Sequence, residues 1–163
     1  MAQLPEGIAR FFPLATESNI KSAADASADA VGTGLPKDIL LPILESLRED
    51  IAEIRDVLSE VELRMVGGSL LVLYEADWEC AREGVKLWLE DDPDAEEQDE
   101  DDEDDDEEDE ENKKPSPPYT VKLIDFAHTR LAPGAGPDKG VLLGLDNILK
   151  LIDGRIKEVK ASP

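Results

Sequence analysis

Tyr119-Thr120-Val121-Lys122-Leu123-Ile124-Asp125-Phe126-Ala127-His128-Thr129 is the stretch on which the fold turns. Aromatic, β-branched and aliphatic residues dominate its first eight positions and predict a strand over 119–126. An earlier run, Ser69-Leu70-Leu71-Val72-Leu73-Tyr74, is short and apolar on both faces, and it follows Gly67-Gly68. The two runs are expected to meet in space as an antiparallel pair, with everything between them an excursion from the sheet.

That excursion has two parts. Residues 77–89 place Trp78, Ala81, Val85 and Trp88 on one helical face. The tryptophans read as helix-docking groups rather than a base-stacking platform. After the helix, 19 of the 22 residues from Glu90 to Glu111 are acidic and none is basic, and Lys113-Lys114-Pro115-Ser116-Pro117-Pro118 follows. Like-charge repulsion and proline keep such a connection open, so 90–118 is expected to be a disordered insertion. It divides the chain into a first part, 1–89, and a second, 119–160.

Outward from the strands lie two helices. Leu40, Leu44, Leu47, Ile51, Ile54, Leu58 and Val61 recur at alternating steps of four and three, with Ile43 and Val57 widening the stripe. This predicts a core-packing helix beginning near Pro36. A helix of about 24 residues would be about 36 Å long at roughly 1.5 Å per residue. Pro42 is expected to kink it or delay its start. The same stripe read as a coiled-coil seam would make a homodimer that Leu47→Asp abolishes. Downstream, Leu145, Ile148, Leu149, Ile152 and Ile156 predict a second helix over about 142–156, weakened near its end by Gly154. At the N-terminus Phe11-Phe12 suggests one anchored turn, and the Ala/Ser/Asp-rich residues 15–35 suggest a flexible loop. The fold class is therefore α+β, a small antiparallel sheet packed on helices.

Composition narrows the function. The formal net charge is −23, but without residues 90–111 it falls to −4, so the acidity belongs to one segment. A basic surface for direct nucleic-acid binding is not expected, and any partner of the 90–111 tract should be a basic protein. The tract lacks the ordered loop and turning glycine of a calcium site. One cysteine, Cys80, excludes an internal disulfide and has no zinc-ligand spacing around it. With no apolar run near 20 residues and no signal peptide, a nuclear or cytoplasmic location is expected. Gly32-Thr33-Gly34 and Gly134-Ala135-Gly136 read as turns, the second lacking the Gly-Lys-Ser/Thr ending of a P-loop.

Asp125 is the candidate for chemistry. A carboxylate closing a buried strand is rigidly placed yet meets water, which suits a residue holding the Mg²⁺ that bridges phosphate oxygens. Standing alone it also fits a turn former or helix cap. Its surroundings point one way. Gly68-Ser69-Leu70-Leu71, Ile124-Asp125-Phe126, Pro137-Asp138-Lys139-Gly140 and Gly144-Leu145-Asp146-Asn147-Ile148 occur in that order. Together with Gly7-Ile8-Ala9-Arg10-Phe11-Phe12 upstream, they resemble the inositol polyphosphate kinase family. Ala127-His128-Thr129 looks most like its multikinase branch. The resemblance covers about half the chain, mainly 36–75 and 119–157, and implies the C-terminal lobe of that fold.

It also implies roles. Asp125 would bind the Mg²⁺ of Mg-ATP, Ser69 would sit beside the metal and nucleotide phosphates, and His128 would lie near the inositol phosphate. The alternative for His128 is a strand-end histidine bonded to backbone. No catalytic residue is assigned. The family's substrate motif, Pro-x-x-x-Asp-x-Lys-x-Gly, does not occur in the 163 residues. Nor is an N-terminal lobe with its ATP-gripping lysine recognisable. Because phosphoryl transfer rests on positioning and electrostatics, this chain is expected to be inactive alone. An apolar patch should be exposed where the other lobe would dock. The rival expectation is a non-catalytic protein that engages basic partners through its acidic tract.

Overall fold

The structure, a computed structural model, describes residues 4–15, 34–90 and 117–163. The expected loop around 16–33 and the acidic insertion over 91–116 lie outside the described residues. In chain order the elements are α1 (Leu4–Phe11), α2 (Lys37–Glu60), β1 (Leu63–Met65), β2 (Ser69–Tyr74), α3 (Trp78–Glu90), β3 (Tyr119–Ile124), β4 (Thr129–Leu131) and α4 (Lys139–Ala161). A single 3₁₀ turn, Phe126–His128, separates β3 from β4.

Two long helices form the centre. Along α2, Ile39, Leu40, Ile43, Leu44, Leu47 and Ile51 are buried to 1% exposure or less. Fully burying a side chain of this kind stabilises by about 1.5–3 kcal/mol. Leu47 is wholly enclosed within this chain, so the stripe is core and the coiled-coil dimer reading fails. Val57 departs from expectation at 56% exposure, because it sits toward the margin of the stripe where no helix covers α2. Pro42 does not end the helix. The hydrogen bond it forfeits is the one to the carbonyl of Asp38, an exposed residue whose oxygen can meet water instead.

Ion pairs set the direction of α4 against α2. Lys160 meets Glu45 at 2.7 Å, Arg48 meets Asp153 at 3.1 Å and Arg55 meets Asp146 at 3.0 Å. Rising numbers on one helix pair with falling numbers on the other, so the two are antiparallel. Each pair is partly exposed and adds little stability, but together they hold the register. α4 is longer than its apolar pattern suggests. Asp138 caps its first turn, and Lys37 donates to the carbonyls of Lys160 and Ser162 at its far end. Buried Val159 anchors the segment beyond Gly154.

The strands form a two-stranded ribbon in two sections. β2 pairs antiparallel with β3 from Ser69↔Ile124 to Tyr74↔Tyr119, and β1 pairs with β4 from Leu63↔Leu131 to Met65↔Thr129. Leu70, Val72, Tyr74, Val121 and Leu123 turn toward the core, whereas Leu71 and Leu73 are exposed at 38% and 57%. β2 is thus apolar on both faces and covered on one. Tyr119 fastens β3 to α2, its hydroxyl donating to Asp50 at 2.8 Å and lying within hydrogen-bond reach of Ser46. α3 follows its expected face, with Ala81 and Val85 buried and Trp78 donating to the carbonyl of Gly34. Phe11-Phe12 ends a helix rather than a lone turn. Phe12 is buried, and its carbonyl accepts two hydrogen bonds from Arg155 of α4.

Candidate functional site

The ribbon changes partners at its middle; Ser69, Asp125 and His128 all lie along this junction, but of the three only Ser69 lines the cleft beside it. On one strand, residues 66–68 connect β1 to β2. Opposite them, residues 125–128 connect β3 to β4, one residue more for the same span. An unequal count across a ribbon bends it and re-aims side chains, as a bulge does. Val66 donates to the carbonyl of His128 at 3.3 Å, which keeps the two connections side by side.

Asp125 absorbs the change of direction. Its backbone is left-handed, with φ 68° and ψ 54°, and it is the one non-glycine residue with positive φ among the described residues. Aspartate tolerates this region better than most residues, but it remains less favourable than the right-handed regions. The expected strand over 119–126 therefore stops at Ile124, and Phe126 belongs to the 3₁₀ turn. The Asp125 carboxylate is exposed and makes no capping bond to the turn it precedes.

Ser69 stands opposite Ile124, the neighbour of Asp125, so the backbones of Ser69 and Asp125 come together at one end of the β2–β3 pair. Gly68 leaves room for the Met65 side chain, whose sulfur a Cβ there would strike. Gly67 takes a positive φ of 76° to complete the turn. His128 lies at the end of the 3₁₀ turn with its side chain exposed. Its backbone carbonyl is engaged by Val66, while its imidazole is left on the surface.

The downstream motif reaches the same junction from α4. A cleft of about 310 Å³ has Gly67, Gly68 and Ser69 on one side and Gly140, Val141 and Gly144 on the other. Asp138 holds the two sides together. One of its oxygens accepts from Met65 N at 3.1 Å; the other accepts from Gly140 N at 2.9 Å and Val141 N at 3.4 Å. These amides, that of Met65 foremost, lower the Asp138 carboxyl below its ordinary range.

Glu62 acts similarly one strand away. It accepts from Gly134 N at 2.7 Å and Gly136 N at 2.9 Å, and both bonds lower its carboxyl. Arg64 closes the loop from the other side, donating to the carbonyls of Ala135 and Gly136. Sequence reasoning found the Gly134-Ala135-Gly136 turn but missed these clamps. The only local signal was Glu62 and Arg64 flanking Leu63, too short a pattern to read as a strand.

A metal held here would have Asp125 as its carboxylate ligand from this chain. Among the described residues no three His, Cys, Asp or Glu side chains cluster at metal-binding distance. With one carboxylate from this chain, such a site would need phosphate oxygens and water to complete it.

The profile of the inositol polyphosphate kinases matches residues 19–153, taking in both strands, the junction and most of α4. The chain belongs to the inositol polyphosphate kinase family. Among solved structures, this family member resembles the inositol phosphate multikinase Ipk2 of S. cerevisiae, solved in complex with ADP and Mn²⁺. The two are 22% identical with a TM-score of 0.50, over 86% of this chain and 47% of that one. The likeness is one of fold: helices packed on small antiparallel strand pairs, spanning about half the length of the yeast chain. Comparison with curated proteins gives no match. Among the described residues no helix is long and apolar enough to cross a membrane.

Proposed function

We propose that this chain forms the metal-side half of a kinase that transfers the γ-phosphate of Mg-ATP to a hydroxyl of an inositol phosphate. The observation carrying this reading is the pairing of Ser69 with the end of β3, where Asp125 leaves the strand with an exposed carboxylate. Asp125 is the ligand for Mg²⁺, and Ser69 offers a hydroxyl to the nucleotide phosphates. His128 is on the same connection, with its imidazole available to the acceptor. When bound, the metal neutralises charge on the phosphate oxygens. The protein's part is to hold one hydroxyl at the start of β2 and one carboxylate at the turn that ends β3. Family membership supports the reaction class, and the ADP and Mn²⁺ held by the yeast multikinase support a nucleotide with a divalent cation.

The chain by itself does not complete the transfer. No Pro-x-x-x-Asp-x-Lys-x-Gly segment occurs in its 163 residues, so the groups that would orient the inositol are not supplied here. Two measurements test these statements separately. Titration with Mg-ATP is expected to give binding that Asp125→Asn weakens about tenfold or more; equal binding by both would remove Asp125 from the metal site. Incubation with radiolabelled Mg-ATP and a panel of inositol phosphates is expected to give no product. Product from the intact chain, lost in Asp125→Asn, would keep the site and overturn the inactivity.

A second reading rests on the 19 acidic residues between Glu90 and Glu111. The tract would engage basic proteins, and its binding should fall steeply from low to physiological salt, where charges are screened over about 8–10 Å.

A further inference from the structure

α2 and β3 part along one side of the ribbon and leave an apolar groove of about 410 Å³. Ile54, Val57, Leu58, Val121, Leu123 and Phe126 form its floor, and Asp50 and Glu53 stand at its rim. Two floor residues face water, Val57 at 56% exposure and Phe126 at 52%. Beside it, Glu49, Glu53, Asp56 and Glu60 are exposed in a row along the outer face of α2. Arg48 on that face already pairs with Asp153 at 3.1 Å and Asp56 with Arg55 at 3.2 Å, so the acidic character comes from Glu49, Glu53 and Glu60. The surface is thus an apolar trough with acidic walls, and its ligand has to be apolar on one side and cationic beside it.

We propose that this groove seats a basic amphipathic helix of a partner protein. The groove follows α2 from Asp50 to Leu58, about 12 Å at roughly 1.5 Å per residue, which matches about two turns of a docked helix. Leucine-like side chains of the partner cover Val57, Phe126 and Leu123, while its lysines or arginines face Glu49, Glu53 and Glu60. Charge decides between this occupant and a second copy of the chain. A two-fold dimer would set the same acidic wall against itself, bringing like charges together. Unlike the 90–111 tract, the groove demands an apolar face as well as positive charge, and this separates the two modes of binding.

The test uses the full chain and a labelled 18-residue peptide with leucines on one helical face and lysines on the other. Its control is a scrambled peptide of the same composition with no apolar face. The ordered peptide should bind about tenfold more tightly than the scrambled one at physiological salt. Val57→Asp should abolish that preference even though it adds a negative charge, and Glu53→Gln should weaken the ordered peptide about two- to threefold. Thermal melts of both variants should overlay the parent, since both positions are at the surface. Equal binding of the two peptides, or an ordered-peptide preference unmoved by Val57→Asp, would overturn the proposal and leave charge attraction alone. A wild-type dimer in sedimentation that Val57→Asp converts to monomer would overturn it in favour of a second copy.

Discussion

Two connections lie next to each other on the ribbon, and they use their carboxylates in opposite ways. In the 132–138 loop the backbone is clamped from both sides. Glu62 takes two amides, Asp138 takes three, and Arg64 takes two of the loop's carbonyls. In the 125–128 connection Asp125 caps nothing, and its own backbone carries the strain of a left-handed conformation. A carboxylate surrounded by amide donors is already satisfied and has little to offer a ligand. One held out from the chain at a conformational cost is available to a cation. The difference separates acidic residues that build the junction from the one that would use it.

The largest effect should come from the clamped side. Asp138→Ala removes the α4 cap and the acceptor for Met65 N, and should destabilise the chain by about 2 kcal/mol, or roughly 4–8 °C in Tm. A loss under about 0.5 kcal/mol by denaturant titration would mean that the clamp is not structural. Next comes pH. Glu62 is lowered from an ordinary value of 4.5, so its contribution to stability is complete above that pH and is lost as pH falls through the lower folded value. The stability gap between the parent and Glu62→Gln should therefore be full at neutral pH and close below pH 4.5, in melts across an acid series.

Smaller effects belong to the strained side. Asp125→Gly relieves the left-handed backbone and should raise stability by a few tenths to about 1 kcal/mol while removing Mg-ATP binding. A marked loss of stability instead would place Asp125 among the clamps and erase the contrast. Asp125→Asn keeps the shape and the tolerance for that conformation, and should move Tm by less than about 1 °C.

Much of this architecture is readable in the sequence alone. The α2 stripe was legible because burial of one helix face imposes a 3.6-residue repeat on the sequence, and β2 and β3 because both are runs of strand-forming residues. The places of Ser69 at the start of β2 and Asp125 just past the end of β3 were legible from the strand-forming runs that they bound. The registers of the ribbon were not. β1 and β4 are three residues each, too short for periodicity, and exist because Met65, Val66 and Asp138 bond across to distant segments. Val57 looked like core because it lies within reach of the stripe; it is 56% exposed because it flanks that stripe, and the next residue, Leu58, takes the buried position.

The sequence alone determined which faces are apolar, where helices can begin, and which carboxylates stand at element ends, because these follow from local periodicity and residue chemistry. Tertiary structure alone decided what each carboxylate does. Asp138 and Asp125 are both acidic residues at the boundary of an element. One meets an amide from a strand 73 positions away, and the other meets water. Hydrogen bonds between residues so far apart carry no local signal, so only the folded chain distinguishes the carboxylate that holds the junction from the one exposed at its surface.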